Sequence, residues 1–504
     1  MSMHTVATSK KRYRLGKALP TPDGLWPLVI TMFFLIIGMV SILFGFEPYA
    51  HYHIGYISQA SDYNAVTSIF LFHFSCIVGG LLGQLTDHRR MVIIGILFSA
   101  VCLALMAIQN LALIALAGYS IGFGLALPNL YTTLSFLYTR DDSRRNAGFI
   151  IMYLGYTLAF LIGGALAYAV LPLLSYEAWF AIMSGVTLLG ALAFVSAGKS
   201  LNSHESIIRR PSSLSFLNKE ISPLLTIVIC ICLSVLMRAL LVNVVLLHSV
   251  IIITAIAILL GCLTVALIRF KKMPMDQRQR FYGLIVLTAA GFLMWFAQRF
   301  TSVMLNQVYP LFETLGPISV FGINLDPFFY MVISILTVAL LVGIFYWQIW
   351  RQNRSMHHGT KIFKSYAIAA IFLLIAISLI LFGSYFTIEG HLNLFQEYLF
   401  SLIFFFNSVA SILFVPLYYA IIGKFAPRHY EPWLMGCFLL WTALIGIFAF
   451  NVAQPIAHAI FEKFAHPPVI AMLHLRYFYW ILFGVFFCLI PLIWYSIKHL
   501  RRSY

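Results

Sequence analysis

Charged side chains are scarce in this sequence: they make up only 10% of its 504 residues, whereas hydrophobic residues make up 62%. A soluble globular protein carries about 25% charged residues, so that class is excluded. The alternating segments of about ten residues that are typical of outer-membrane β-barrels are absent as well. The composition therefore predicts a helical protein whose solvent is the lipid bilayer.

Signatures of catalysis and of metal binding are also missing from the sequence. It contains no phosphate-binding P-loop, no nucleophile elbow and no zinc motif. Its seven cysteines fall inside apolar segments, and the pair Cys230 and Cys232 lacks the spacing and the partners of a zinc site. We therefore expect neither an enzyme nor a protein with a cofactor or a metal.

Apolar runs that are long enough to cross a bilayer, about 20 residues each, recur along the whole chain. They predict fourteen spans, at residues 26–46, 65–85, 91–109, 111–137, 147–172, 176–198, 223–242, 247–268, 282–305, 327–349, 365–387, 395–422, 432–455 and 473–497. An even number of spans puts both termini on the same side of the membrane.

The basic residues are distributed unevenly between the two sides of these spans. All but four of the 32 Lys and Arg residues lie at the termini or in connecting segments on the same side as the termini. By the positive-inside rule that side is predicted to be cytoplasmic. The basic residues form short clusters between apolar runs, and not one basic face, so nucleic acid is not expected as a partner.

Two polar segments interrupt the series of spans and bracket a pair of predicted helices. The sequence thus predicts an all-α polytopic membrane protein with two six-helix bundles and an inserted two-helix hairpin, as expected of halves that move about a central site. The predicted units are an N-terminal segment 1–25, a bundle 26–198, a linker 199–222, the hairpin 223–268, a linker 269–281, a second bundle 282–497 and a tail 498–504.

The connection after the second span, GQLTDHRRM at 83–91, resembles the conserved loop of the major facilitator superfamily. The resemblance implies a gating role for Asp87, Arg89 and Arg90, because an acid at a helix end can cap a neighbouring helix or pair with arginines until the transporter opens. A plain loop acid, beside arginines that only set the topology, explains the same residues.

Four further motifs, in the correct order along the chain, resemble the proton-coupled oligopeptide transporter family. They are GFGLALPN at 122–129, TRDDSRRNAGFIIMY at 139–153, FAQRFTSVMLN at 296–306 and KFAPRHYEPWLMG at 424–436. In that family the motifs belong to the fourth helix, to the turn and start of the fifth, to the seventh helix and to the turn before the eleventh. The resemblance implies the major facilitator fold and alternating access to a midplane pocket.

The family pattern also implies which residues line that pocket. Tyr153 and Gln298 stand at matched positions, and Thr157 stands where the family has asparagine. Asn407 and Ser411 would face the pocket from the tenth helix. These five side chains, together with Arg299, are the predicted contacts to the solute.

Ionisable residues that the family uses for proton movement and peptide binding are missing. The first helix lacks an E-x-x-E-R motif, the fourth-helix lysine position is occupied by Leu127, and the tenth-helix glutamate position is occupied by Ser411. Such side chains do not titrate, so the usual proton coupling and the usual charge clamp on both peptide termini are not expected. His73, inside the second span, is open to two interpretations: a substitute proton carrier or a hydrogen-bond donor to a neighbouring helix.

Arg299 lies about two helical turns inside the span at 282–305, which corresponds to the seventh helix of the family, and a charge there costs about 2.5 to 3.5 kcal/mol on insertion scales. It is therefore expected to face a cavity or a partner. Three interpretations are open: an outer gate formed with Asp326, a contact to a substrate carboxylate, and a salt bridge without a role in transport.

Together these features predict a secondary active or facilitative transporter of small peptides or amino-acid-like solutes. Di- or tripeptides are the partners implied by the resemblance, protons are an open partner, and the lost charges favour a less zwitterionic solute. The resemblance also implies a bacterial inner membrane. The alternative is a transport-inactive membrane receptor or interaction protein derived from a transporter.

Overall fold

The computed structural model describes most of the helical part of the chain. The described residues are 22–50, 65–138, 142, 144–202, 222–241, 246, 249–250, 252–254, 256–258, 260–261, 278, 288–302, 318–320, 323–325, 336–344, 346–347, 359–386, 394–425, 431–462, 479–485, 487–488 and 490–491. The predicted gate residue Asp326 lies outside them, as do residues 1–21, the tail 498–504 and most of both linkers.

Helices make up nearly all of the described structure. Those with defined bounds are α1 (Leu25–Tyr49), α2 (Ala65–Leu85), α3 (His88–Met106), α4 (Ala112–Phe136), α5 (Arg145–Val170), α6 (Tyr176–Ser196), α7 (Gly198–Asn202), α8 (Pro223–Leu241), α9 (Gly359–Phe386), α10 (Leu394–Phe425) and α11 (Glu431–Glu462). Short 3-10 turns precede α4 and follow α5, at Gln109–Leu111 and Leu171–Leu173. Residues 288–302, 336–344 and 479–485 are helical as well.

Each of the fourteen predicted spans contains helical residues. Eight of the described helices are long and apolar enough to cross a membrane. Their outward-facing side chains are apolar too, for example Leu192, Val195 and Leu224, which are all more than half exposed. Such a surface needs lipid around it, so the predicted multi-pass integral membrane protein is confirmed.

The starts of α3 and α6 are set by side chains that accept hydrogen bonds from free backbone N–H groups. Asp87 caps α3 by accepting from the Arg89 N–H at 3.0 Å. Ser175 caps α6 by accepting from the Ala178 N–H at 3.2 Å. These two helices therefore begin at capped polar turns between the apolar runs.

Close helix crossings in the N-terminal part depend on glycine. Helix α1 packs against α5 and α6, α2 against α4, and α3 against α4 and α6. At the crossing of α2 and α4, a Cβ on Gly79 would collide with the backbone of Gly124. Small residues at such crossings let two backbones approach closely, and in lipid this close packing drives helix association.

The N-terminal and C-terminal helices meet along two main contacts. Helix α2 packs against α11, and α5 packs against α10. Helix α8, from the predicted inserted hairpin, packs instead on the outside of the N-terminal group, against α4. The interface between the two groups therefore runs between α2 and α5 on one side and α10 and α11 on the other.

A short β-hairpin, which the sequence did not predict, adds to the helices. Strands β1 (Ile318–Val320) and β2 (Ile323–Leu325) pair antiparallel, with Ile318 opposite Leu325. The hairpin lies in the connection between the predicted spans 282–305 and 327–349, directly before Asp326. It leaves the predicted all-helical membrane fold unchanged.

Candidate functional site

Polar side chains of α5, α10 and the helix at 288–302 lie near one another where the N-terminal and C-terminal helices meet, and we call this region the cleft. From α5, the Tyr153 hydroxyl lies within interaction range of the side chains of Ser411 on α10 and of Thr157. Thr157 Oγ1 also donates to the Tyr153 carbonyl at 3.0 Å. The proximity of Tyr153 to Ser411 joins an N-terminal helix to a C-terminal helix, so the cleft lies between the two helix groups.

Amide and hydroxyl groups form a second polar chain on the C-terminal side of this cleft. Asn407 Nδ2 on α10 donates to Ser302 Oγ at 3.2 Å. Ser302 Oγ donates to the Gln298 carbonyl at 3.0 Å, and Gln298 Nε2 lies 3.4 Å from the same hydroxyl. Ser302 thus connects two predicted solute contacts, Asn407 and Gln298, that lie on different helices.

Arg299 places its positive charge in this cleft. Its side chain is exposed, and its guanidinium carbon lies 5.4 Å from the centre of the Trp295 ring. It interacts electrostatically with Tyr153 and Tyr156 on α5 and with Tyr419 on α10. These interactions place the guanidinium on the side of its helix that is directed towards α5 and α10.

Aromatic rings surround the guanidinium and form much of the wall. The rings of Tyr153 and Tyr156 stack with centroids 5.7 Å apart and planes 4° apart. Trp295 packs edge-on against Phe414, with centroids 5.7 Å apart. Tyrosine and tryptophan combine apolar faces with a polar edge, which suits a pocket for a small solute with both characters.

The cleft is positively charged because no acid balances Arg299 in the part of the chain that the structure describes. The described acidic side chains are those of Asp23, Asp87, Asp142, Glu177 and Glu431, and all of them lie at helix starts or in the turns before them. The fourteen predicted spans likewise contain no acid beyond their first turn. Among the described residues, the guanidinium therefore has no acidic partner.

One end of the cleft is closed by contacts between the two helix groups. The rings of Tyr131 on α4 and Tyr419 on α10 stack with centroids 4.6 Å apart. Next to them, Arg145 is 3% exposed and donates to Ser135, and both side chains lie against Gly423 on α10. This end carries the starts of α5 and α11, which are predicted to be cytoplasmic.

A glycine contact continues the closure between α2 and α11. A Cβ on Gly80 would collide with the Pro432 carbonyl, and a Cβ on Gly436 would collide with the Cys76 carbonyl. Both collisions are with backbone atoms, which cannot turn aside as a flexible side chain can. The two helices therefore approach each other closely at this end only because glycine occupies both positions.

The turn before α5 holds an ion pair beside this closed end. Arg144 Nη2 lies 2.7 Å from Asp142 Oδ2, and the Arg144 N–H donates to Asp142 Oδ1 at 2.9 Å. Burial raises the pKa of the neighbouring Tyr138, and the Asp142 carboxylate raises it further, while Arg144 acts in the opposite direction. Tyr138 therefore stays neutral at physiological pH.

The predicted gating loop is organised locally. Asp87 caps α3 and lies 3.8 Å from Arg90 Nε and 3.7 Å from His88 Nδ1. Arg89 donates to the Leu201 carbonyl on α7. These contacts join residues of the N-terminal helices to one another, as expected of a loop that stabilises the fold. A gating role for Asp87, Arg89 and Arg90 remains a prediction. The pair of Arg299 with Asp326 lies outside the described residues.

The structure brings all six predicted solute contacts to this one cleft: Tyr153, Thr157, Gln298, Arg299, Asn407 and Ser411. Sequence reasoning missed Ser302 as a binding residue, although it matches the motif that identified Gln298. It also missed Trp295, Tyr156 and Tyr419, because aromatic residues in an apolar span look like ordinary core. Within the described part of the chain, no group of three His, Cys, Asp or Glu side chains could hold a metal ion.

Comparison with known proteins finds transporters. No protein-family model matches the chain. The uncharacterized transporter YclF of Bacillus subtilis (strain 168) is 28% identical over 187 residues, 35% of this chain and 38% of YclF. The di-/tripeptide transporter of Lactococcus lactis subsp. cremoris is 25% identical over 304 residues, 57% of this chain and 60% of that protein. The chain thus aligns with less than two thirds of the length of either relative.

Solved structures match over nearly the whole chain. A crystal structure of the peptide transporter POT in complex with sulfate has a TM-score of 0.61 at 19% identity and covers 96% of both chains. A POT family transporter in complex with 5-aminolevulinic acid has a TM-score of 0.63 at 18% identity, over 94% of this chain and 97% of the other. The predicted fold is confirmed, and the structures that match it are peptide transporters of the family that the sequence motifs resemble.

Proposed function

We propose that this chain, whose fold is that of the proton-coupled oligopeptide transporters, is a secondary transporter of small carboxylate-bearing peptides or amino-acid-like solutes. The observation that carries this proposal is the position of Arg299. Its guanidinium is exposed in a cleft between two helix groups, beside Trp295 and facing Tyr153. A charge at membrane depth is costly without a partner, and a solute carboxylate supplies one.

Alternating access is the transport mechanism that we propose for this cleft. The stack of Tyr131 on Tyr419 and the contact of Gly436 with Cys76 close the predicted cytoplasmic end. In a transporter of this fold, the two helix groups rock about the central site so that the closed end opens. The contacts at this end are then the ones that must break before the solute reaches the cytoplasm.

Facilitated diffusion or exchange fits the chain better than coupling to protons. A proton carrier in a transporter is usually an acid or a histidine at membrane depth. All sixteen Asp and Glu residues lie in connecting segments or in the first turn of a predicted span. His73 is the alternative carrier, and replacing it by glutamine would abolish gradient-driven uptake if it has that role.

The proposed location is the inner (plasma) membrane of a bacterium, with both termini in the cytoplasm. The lopsided distribution of Lys and Arg supports the orientation. The two curated relatives are bacterial transporters, which supports the location.

Uptake into proteoliposomes tests the proposed function. Purified protein would be reconstituted and given labelled Ala-Ala or N-acetyl-Ala-Ala, with protein-free liposomes as the control. We expect saturable uptake of at least one of the two, and thermal stabilisation of the detergent-solubilised protein by the same solute. Uptake equal to that of empty liposomes, with no stabilisation by either solute, would contradict the proposal and favour a receptor.

A further inference from the structure

We infer that the cleft selects solutes with a free carboxylate and an uncharged amino end, such as N-acylated amino acids and N-acylated dipeptides. The inference rests on the proposed transport function and adds a substrate class to it. The observations that carry it are the charge of the cleft, a buried acceptor on Asn407 and the aromatic wall.

The charge of the cleft favours a solute with a negative charge only. Arg299 provides a positive charge, and no described acid lies near it. The sequence offers none from the interior of any predicted span. A free peptide would bring its ammonium group into the same low-dielectric cleft, where it would lose hydration, gain no carboxylate and be repelled by Arg299. Acylation of the amino group removes all three penalties and leaves the carboxylate intact.

Asn407 adds a recognition group for a neutral N–H. Its side chain is 3% exposed, and its Nδ2 donates to Ser302 Oγ at 3.2 Å. Its Oδ1 has no hydrogen-bond partner in the described structure. An unpaired buried acceptor is destabilising, and the torsion that turns a carboxamide is soft, so a bound solute can reach it after a small rotation. The amide N–H of an N-acylated residue satisfies this acceptor without adding charge.

The aromatic wall offers a place for the acyl group. The stacked rings of Tyr153 and Tyr156 on α5 are half-buried, and both lie within electrostatic reach of Arg299. An acyl group that packs on such rings removes apolar surface from water, which favours binding. A bare ammonium group gains nothing from that contact unless it lies over a ring face, and there it competes with Arg299.

Three probes of the same length separate the contributions of the two solute ends. N-acetyl-Ala-Ala has only the carboxylate, Ala-Ala has both charges, and Ala-Ala amide has only the ammonium. We expect N-acetyl-Ala-Ala to be taken up with a kcat/KM about tenfold above that of Ala-Ala, a difference of about 1.4 kcal/mol, and Ala-Ala amide not at all. The ratio between probes is independent of how much active protein each sample contains.

Two variants that add an acid to the cleft provide the reverse experiment. In Asn407→Asp and in Ser411→Glu, the new carboxylate would receive an ammonium, so the preference should shift towards Ala-Ala by about tenfold or more. Two positions are used because Asn407 is buried and its substitution could impair folding. A shift of the preference towards Ala-Ala in one correctly folded variant supports the inference.

The outcomes distinguish this inference from the proposed function. Equal or faster uptake of Ala-Ala by the unmodified protein overturns the inference and leaves the transport function intact. Uptake of Ala-Ala amide at a similar rate overturns the carboxylate requirement as well. Absence of uptake of all three probes contradicts the transport function, and the inference falls with it.

Discussion

Arg299 holds a guanidinium in a region of the chain where charge is otherwise missing. Its ring neighbour Trp295 lies one helical turn away on the same helix, and its other neighbours come from α5 and α10. A structural salt bridge would require an acid close by, and none is near in the described part of the structure. At the scale of single residues, a solute carboxylate is therefore the partner that we propose for this arginine.

Replacing Arg299 by alanine should lower the apparent affinity for a carboxylate solute by about 10- to 100-fold, because a hydrogen bond to a charged group contributes about 1.5 to 3 kcal/mol. Arg299→Lys should retain part of this affinity, because the positive charge is kept while the paired N–H donors of the guanidinium are lost. Initial uptake rates in proteoliposomes at a series of solute concentrations measure the change.

The matched control for that substitution is Arg238→Ala. Arg238 is another arginine inside a predicted span, and it is exposed on α8, away from the cleft. The Arg238→Ala variant should take up the solute with the same apparent affinity as the unmodified protein. Equal losses in the Arg299 and Arg238 variants would mean that the effect reflects membrane insertion and not recognition of the solute.

Single residues of the site could be predicted where a polar side chain stands in an apolar span or in a recognisable motif. Tyr153, Gln298 and Arg299 were found in this way. The role of Arg145 could not be predicted, because an arginine in a turn is normally solvated, and only the fold shows that this one is buried against α10. Tyr419 was missed for a related reason, since its partner Tyr131 is almost 300 residues away in the chain.

Glycine-mediated crossings explain how the helices approach each other, first within the N-terminal group. Gly79→Ala would drive a Cβ into the backbone of Gly124, and overpacking of this kind costs about 1 to 3 kcal/mol. We expect a lower Tm in thermal unfolding of the detergent-solubilised protein. Gly185→Ala on α6 is the control, because a Cβ there meets nothing within 4 Å, and its Tm should be unchanged or higher. A Tm of Gly79→Ala equal to that of Gly185→Ala would contradict the crossing.

The crossing of α2 and α11 has a different consequence, because it joins the two moving groups. Gly436→Ala should push α11 away from the Cys76 carbonyl and so favour the state that is open at this end. Cys76 is fully buried at the contact and provides a native reporter. We expect a higher rate of Cys76 alkylation by a maleimide, measured by mass spectrometry of the Cys76 peptide.

Gly446→Ala on the same helix is the control for that experiment, since a Cβ at Gly446 meets nothing within 4 Å. It should leave the alkylation rate of Cys76 unchanged. If Gly436→Ala alkylates no faster than Gly446→Ala, the contact does not hold this end closed.

Helices were predictable as elements because their apolar runs match the thickness of a bilayer and their ends coincide with capped polar turns. The predicted spans 65–85 and 176–198 differ from α2 and α6 by two residues or fewer. The β-hairpin at 318–325 was not predictable, because strands of three residues are shorter than the four to eight over which alternation indicates a strand. The packing of α8 on α4 also required the structure, since span counting carries no information on neighbours.

At the scale of the whole molecule, the distribution of charge links the fold to the mechanism. Basic residues cluster on one predicted side, acids avoid the interior of every predicted span, and a single exposed guanidinium lies in the cleft between the two helix groups. The proposed cleft suits an anionic group, and the sequence places no carboxylate in the interior of a predicted span where it could carry a proton. We therefore predict a carrier that moves its solute without using a proton gradient.

Solute exchange in proteoliposomes tests this claim most directly. Vesicles would be preloaded with unlabelled N-acetyl-Ala-Ala or left empty, and uptake of the labelled solute would be measured with and without an inward proton gradient. We predict that labelled solute enters preloaded vesicles faster than empty ones, and that the proton gradient does not change either rate. Accumulation above the external concentration that occurs only with the gradient would contradict it.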